Sequence, residues 1–232
     1  MRVHQRLGVM GLGLLSMAVL AGCSSGQPAT GTQAQTGSQR IPYTAQQLRA
    51  TLLSKLDGAG PAAPAQAGKY GSLQGVRNIK AGTRGVRIIP ARCARAARTG
   101  LDTAALADAP ATVISFRHGS AGVSEVLLAP ADSLAASVLG RTQPRGCTRY
   151  RAVVSGRTYI YTVRNEPAPR LGESAREMDI HASGAASIDV WTIVYRASGY
   201  IGAITLVGPA VTRKELESIA WQAYGTAQRK LS

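Results

Sequence analysis

Residues 188–207 read IDVWTIVYRASGYIGAITLV, and this stretch decides the fold. Two runs rich in β-branched and aromatic residues, Ile188 to Arg196 and Tyr200 to Val207, flank a glycine-containing turn at residues 197–199. Such a pair of runs around a short turn predicts a β-hairpin. Both runs are apolar on both faces, so this hairpin is predicted to lie at the centre of a sheet.

Two more hairpins are predicted upstream. The first joins Ala111 to Arg117 with Val123 to Ala129 through the loop at residues 118–122. The second joins Thr148 to Val154 with Thr158 to Arg164 through the tight turn Ser155-Gly156. Consecutive hairpins predict an antiparallel sheet.

Helices are predicted at both ends of the domain. Thr44 and Gln47 have capping-box spacing, and an apolar stripe from Ala45 to Leu56 extends that first helix as far as Gly58. The last helix begins with the same spacing, and its apolar face is predicted to consist of Leu216, Ile219, Ala220, Ala223 and Ala227, behind the cap residues Thr212 and Glu215.

Two shorter helices are predicted between the strands. One covers about Pro130 to Leu139 and stops at Gly140, and the other lies around Ala91 to Ala97 and carries Cys93. The predicted fold class is therefore α+β, an antiparallel sheet built from consecutive hairpins with the N- and C-terminal helices packed on one face.

The N-terminus has the pattern of an export signal. Met1 to Arg6 carries two arginines and no acid, Leu7 to Leu20 is apolar, and Leu20-Ala21-Gly22-Cys23 follows. This L-A-G-C motif resembles the lipobox of bacterial lipoproteins, which implies cleavage before Cys23 and acylation of that cysteine. We therefore expect a signal peptide at 1–22, a lipidated Cys23 with a flexible polar tether at 23–40, and a single domain at 41–232, anchored on the extracytoplasmic face of the cell membrane.

Two cysteines then remain, Cys93 and Cys147. An exported chain with two cysteines is most simply interpreted as carrying one structural disulfide. Redox chemistry would favour a C-x-x-C spacing and a metal would need clustered ligands, and neither pattern is present.

The search for catalytic chemistry finds little in the sequence, and no catalytic residue, metal ligand or cofactor is predicted. His118 and His181 are the histidines after the signal, and neither belongs to a metal-binding motif. Ser120, His118 and Asp132 can be written as a triad, but such trios of common residues arise by chance. The acidic residues Glu173, Glu177 and Asp179 follow Pro167-Ala168-Pro169 and are interpreted as a solvated polar connection, with cation binding as the less favoured alternative.

Positive charge is the extreme feature of the composition. The 232-residue chain has a formal net charge of +15, with 45% hydrophobic and 17% charged residues, values that exclude a disordered chain. Basic residues cluster from Lys69 to Arg98 and from Arg141 to Arg170, and each block contains one cysteine of the predicted disulfide. A bond between them would force the two blocks together, which suggests a compensating anion. The candidate anion-binding residues are Arg92, Arg95, Arg145, Arg149 and Arg151; the alternative is a solvated basic surface.

The whole pattern resembles that of actinobacterial secreted lipoproteins with a receptor-kinase sensor-like or Mog1/PsbP-like domain. The resemblance rests on the lipobox, the polar tether, the opening helix, the cysteine pair and the hairpins closed by a C-terminal helix. It implies a non-catalytic module that binds a ligand or a partner. Export argues against nucleic acid, so the expected partners are an anionic lipid, an envelope polymer or an acidic protein. The alternative is an envelope hydrolase with an unrecognised active site.

Overall fold

The structure, a computed structural model, describes residues 43–184 and 187–231. These residues form a compact unit with its own core. The predicted signal peptide, Cys23 and tether lie outside the described residues.

A nine-stranded antiparallel sheet forms the body of the domain, with the order β1-β3-β4-β9-β8-β7-β6-β5-β2. The hairpin of β8 and β9 lies in the middle of this order, as the sequence predicts. The strands are β1 (Ala63–Lys69), β2 (Arg87–Ile89), β3 (Pro110–His118), β4 (Ala121–Leu128), β5 (Arg149–Val154), β6 (Arg157–Glu166), β7 (Ser174–Ser183), β8 (Ile188–Ala197) and β9 (Tyr200–Gly208).

In the part of the chain that the structure describes, four helices and three short 3-10 helices accompany the sheet. The helices are α1 (Ala45–Thr51), α2 (Gln74–Gly82), α3 (Asp132–Leu139) and α4 (Arg213–Leu231). The 3-10 helices are Tyr70–Ser72, Ala91–Arg95 and Ala104–Leu106. The α+β prediction is confirmed, while β1, α2, β2 and β7 have no counterpart in it.

The helices divide between the two faces of the sheet. α1 and α4 pack on the face that carries Ile193 and Tyr195 of β8, which we call the α4 face. α3 and residues of α2 lie against the opposite face, which carries Val194 and which we call the α3 face. The predicted placement of the N- and C-terminal helices on one face is confirmed, and each face has its own apolar core.

Both terminal helices begin at the predicted caps. Thr44 Oγ1 accepts from the Gln47 backbone N–H at 3.2 Å, and the Gln47 side chain accepts from the Thr44 backbone N–H at 2.8 Å. Thr212 and Glu215 make the same reciprocal pair at the start of α4. All five apolar residues predicted for the inner face of α4 are buried.

The first helix is shorter than predicted. α1 ends at Thr51 rather than near Gly58, because the chain turns at Leu52 and the Leu53 backbone N–H donates to Glu125 Oε2 at 2.9 Å. Leu52, Leu53 and Leu56 reach the core from this extended segment. Their apolar spacing therefore reflects burial and not further helical turns.

The acidic stretch after Pro169 was predicted to be a solvated connection, and this prediction is wrong. Residues Ser174–Ser183 form β7, and the Glu177 side chain is fully buried. The buried charge is tolerated because Arg213 of α4 lies 2.9 Å from Glu177. Arg164, opposite Asp179 on β6, supplies a positive charge close to that second carboxylate.

Both edges of the sheet are short or irregular. β1 contains Pro64, and its register with β3 shifts between Ala63 and Gln66. β2 is three residues long and is followed by Pro90.

Candidate functional site

The predicted disulfide is present between Cys93 and Cys147. Their Cα atoms lie 5.3 Å apart, and both residues are fully buried. The bond joins the 3-10 helix Ala91–Arg95 to the segment that enters β5, and it packs on the α3 face with Tyr150 and Val163. The two basic blocks of the sequence therefore do meet at the disulfide.

A cleft of about 580 Å³ lies beside this bond. One wall is the stretch 95–104, the opposite wall is the stretch 141–144, and strands β6 and β7 contribute to the floor. We call it the arginine cleft, and its charged lining residues are Arg95, Arg98, Asp102, Arg141 and Arg176, with Thr103, Thr142, Gln143 and Asn165 among the polar ones.

Arg176 connects the two walls of the arginine cleft. Its Nη1 donates to the Arg141 carbonyl oxygen at 3.2 Å, and its Nη2 donates to the Thr99 carbonyl oxygen. Burial, followed by the positive charge of Arg141, lowers the pKa of Arg176, but a guanidinium stays charged in proteins. Within residues 43–184 and 187–231 no carboxylate forms an ion pair with Arg176, so its charge is held in place by backbone carbonyls.

Asp102 supplies the negative charge of the cleft lining. Its carboxylate lies 3.1 Å from Arg98 Nη1 and 4.0 Å from Arg141 Nη1. Four guanidinium groups thus line a cleft with one carboxylate. This imbalance creates a positive potential in a concave site, which favours binding of an anion.

An amide pair forms the polar corner of the cleft. Asn165 donates to Gln143 Oε1 at 2.9 Å, and Gln143 Nε2 donates to the Cys147 carbonyl oxygen at 2.8 Å. These bonds tie the wall at 141–144 to β6 and to the disulfide. The cleft is therefore built on fixed elements and not on one loose loop.

The structure separates the predicted anion-binding residues. Arg95 lines the arginine cleft, while Arg92 and Arg145 are exposed next to the disulfide and are not part of the lining. Arg149 and Arg151 flank Tyr150 on β5, and Tyr150 packs with the disulfide on the α3 face. Because side chains alternate along a strand, Arg149 and Arg151 point to the α4 face.

Of the five charged residues of the cleft, sequence reasoning named Arg95 alone as a candidate. Arg98 and Arg141 belong to the basic blocks, but Arg176 was assigned to a polar connection and Asp102 was not singled out. A signal was available for Arg176, since Met178, Ile180 and Ala182 alternate with polar residues as in a strand with one buried face.

The triad considered from the sequence does not form. His118 Nδ1 lies 2.5 Å from Asp57 Oδ2, and its Nε2 lies 3.7 Å from Glu215 Oε1. Asp132 instead pairs with Arg196 at 3.0 Å. His118 therefore joins the segment after α1 to the start of α4 and has no link to Asp132.

The acidic residues considered for cation binding are neutralised by arginines. Glu173 lies 3.1 Å from Arg196, and Glu177 pairs with Arg213. Within the described part of the chain no group of three metal-ligating side chains comes together. In the same part of the chain, none of the helices has the length and apolar character needed to cross a bilayer.

Comparisons with known proteins find similarity in the fold. The extracellular domain of PknH from Mycobacterium tuberculosis superposes with a TM-score of 0.50 at 12% identity, over 82% of this chain and 98% of that one. An uncharacterized protein from Mycobacterium smegmatis, the Rv0999 ortholog, superposes with a TM-score of 0.39 at 14% identity, over 61% of this chain and 77% of that one. The chain matches no family model and no curated protein. The first similarity agrees in fold with the predicted sensor-like domain.

Proposed function

We propose that this chain is a lipid-anchored extracytoplasmic protein whose domain binds a small anionic ligand in the arginine cleft, as a sensor-like module without catalysis. The lipobox and the polar tether support the anchor, and the fold similarity to an extracellular domain supports the compartment. The observation that carries the binding proposal is the lining of the cleft, where four arginines outnumber one aspartate.

The individual arginines have different roles in this proposal. Arg176 is fixed by two carbonyl groups and sets a permanent positive charge in the floor. Arg98 and Arg141 share Asp102, and their side chains are 50% and 35% exposed, so each can turn toward a ligand oxygen. The planar guanidinium group binds phosphate or carboxylate oxygens in pairs.

The size of the cleft fits a small molecule. A volume of about 580 Å³ lies within the usual range for ligand pockets. Thr103, Thr142 and Gln143 offer hydroxyl and amide groups for the neutral part of a ligand. The lining therefore suits a compact polar molecule with at least one phosphate or carboxylate group.

Calorimetric titration of the unlipidated mature chain (residues 23–232 with Cys23→Ser) tests the binding proposal. Pyrophosphate and citrate serve as anionic probes, and glucose serves as the neutral one. We expect binding of at least one anionic probe, weakened about tenfold or more by Arg98→Ser with Arg141→Ser. Arg149→Ser with Arg151→Ser removes the same charge elsewhere and should leave this binding unchanged. An equal loss in both double variants would show that net charge alone attracts the probe.

The anchor is tested separately at Cys23. Cys23→Ala should block processing of the signal and leave the protein without acyl chains, as judged by intact mass and by membrane fractionation. A Cys23→Ala protein that matures normally and still carries acyl mass would contradict the lipoprotein assignment.

A further inference from the structure

Among residues 43–184 and 187–231, no helix packs on one part of the α4 face. α4 packs on β8 and β9, and α1 packs on β1, β3 and β4. Toward the other edge of the sheet, β5 and β2 carry exposed arginines on this face, and β6 contributes an isoleucine. Arg149, Arg151 and Arg87 are exposed there, with Ile89 and Ile160 half-buried beside them. We call these five residues the open arginine face.

The strand registers place these side chains side by side. Ile89 of β2 pairs with Arg151 of β5, and Arg151 pairs with Ile160 of β6. The three residues therefore form one row across three strands, an arginine between two isoleucines. A shallow depression of about 360 Å³ lies here, lined by Ile89, Pro90, Arg149, Tyr150, Arg151 and Ile160.

The charge of the open arginine face is uncompensated. Among the described residues no ion pair involves Arg87, Arg149 or Arg151. By contrast, Arg213 on the α4 face has a carboxylate partner, Glu177, at 2.9 Å. These three exposed arginines are therefore available to an anionic surface outside the described domain.

We propose that the open arginine face docks on an anionic lipid bilayer and sets the orientation of the domain against it. This inference rests on the lipid anchor of the proposed function, which holds the domain next to such a surface. The tether of residues 23–40 reaches at most about 60 Å when fully extended, so the domain cannot leave the neighbourhood of the headgroups.

The chemistry of the face favours a bilayer over a protein partner. Arginines bind lipid phosphates, and each basic residue near an anionic membrane adds to the attraction. The two isoleucines on either side of Arg151 can contact the region just below the headgroups. The surface is shallow and lacks a deep pocket that would hold the anchoring side chain of a protein partner.

Co-sedimentation of the unlipidated mature chain with vesicles is the main test. We expect partition onto vesicles that contain phosphatidylglycerol, little onto pure phosphatidylcholine, and loss of binding at high salt. Arg149→Ser with Arg151→Ser should lower the partition coefficient about 30-fold. Arg149→Lys with Arg151→Lys should keep most of it, because the positive charge is retained.

The cleft variant Arg98→Ser with Arg141→Ser removes the same charge and is the matched control. This variant should keep vesicle binding and lose binding of the anionic probes. The experiment therefore distinguishes a failure of the docking proposal from a failure of the cleft-binding proposal. Equal partition onto both vesicle types would overturn the proposal. So would equal losses in the two serine variants, or binding to a soluble acidic polymer without binding to vesicles.

A footprint of the lipidated wild-type protein provides a measurement that needs no variant. In phosphatidylglycerol vesicles phenylglyoxal should modify Arg149 and Arg151 more slowly than in phosphatidylcholine vesicles, while modification of the exposed Arg92 should be unchanged. Equal rates for Arg149 and Arg151 in both vesicle types would contradict the docking.

Discussion

The carboxylate of Glu177, which is fully buried on β7, lies 2.9 Å from Nε of Arg213, the first residue of α4. Arg213 also lies 2.9 Å from Glu217 one turn later and donates to the Pro167 carbonyl oxygen. One half-exposed guanidinium thus joins the longest helix, a central strand and the connection between β6 and β7. Burial raises the pKa of Glu177, and the charge of Arg213 acts in the opposite direction.

Replacing Arg213 by Met should therefore destabilise the domain. A buried carboxylate would lose its partner, and we expect a loss of about 2 kcal/mol in the free energy of unfolding at pH 8, less than for a fully buried pair because Arg213 is partly solvated. The loss should shrink as the pH falls, because burial raises the pKa of Glu177 and a protonated Glu177 needs no positively charged partner. Arg213→Lys, which keeps the charge, serves as the control. Urea denaturation at pH 5 and pH 8 checks this, and an equal loss at the two pH values would speak against it.

Glu125 predicts a pH dependence of stability. It is fully buried on β4, and burial raises its pKa from 4.5 to about 7 against the opposing effects of the Leu53 N–H and the charge of Lys230. Between these two values the folded state holds a proton that the unfolded state has released. Stability should therefore decrease as the pH rises through this window, by about 3 kcal/mol from this residue.

Glu125→Gln removes this dependence and keeps an acceptor for the Leu53 N–H. The difference in unfolding free energy between variant and wild type should move in favour of the variant from pH 4.5 to pH 8. Asp108→Asn changes an exposed acid and is the control for general charge effects. A constant difference between Glu125→Gln and wild type over this range would disprove the assignment.

Asp102 should limit the affinity of the arginine cleft. Its carboxylate occupies Arg98 and Arg141, the two guanidinium groups that we expect to turn toward a ligand. Asp102→Asn should therefore strengthen binding of the anionic probe severalfold in calorimetric titration. Asp108→Asn, which removes the same charge at an exposed pair with Lys69, should have little effect. Weaker binding in Asp102→Asn would mean that Asp102 holds the arginines in the binding geometry.

The disulfide should stabilise both the fold and the cleft. Cys93 and Cys147 are 54 residues apart, and loss of a bridge over such a loop costs about 4 kcal/mol on the chain-entropy model. Cys93→Ser should show this loss in denaturation experiments and should weaken probe binding, because Arg95 and Pro144 lie close to the two cysteines on opposite walls. Two free thiols in the unfolded, unreduced Cys23→Ser chain would refute the bridge.

The sequence predicts the fold where local patterns and long-range packing agree. The β8–β9 hairpin carries apolar side chains on both faces, and the caps at Thr44 and Thr212 mark both terminal helices. β7 was missed because Glu177 and Asp179 suggest a solvent-exposed segment. The arginines that neutralise them, Arg213 and Arg164, lie in other segments of the sequence. A buried charge cannot be predicted to be buried until its partner is known.

Long-range packing also limits what the sequence predicts of the candidate site. The pairing of Cys93 with Cys147 brings the two basic blocks together, and Arg95, one of the five candidate residues, lines the cleft. The arginines of these blocks then point to opposite faces of the sheet. Tyr150 packs on the disulfide, so its neighbours Arg149 and Arg151 point away, while Arg176 of β7 enters the cleft. The sequence reveals the charge density, and the register of the sheet determines where each charge lies.

The two edge strands of the sheet, β1 and β2, affect whether copies of this protein can associate edge to edge. Lipid anchoring would confine this protein to two dimensions and raise its local concentration, a condition in which exposed strand edges invite copies to polymerise edge to edge. Pro64 and the shifted register interrupt β1, and β2 ends after three residues at Pro90. Neither edge offers a long regular row of free N–H and C=O groups. The two edges of the sheet therefore disfavour edge-to-edge polymerisation of copies.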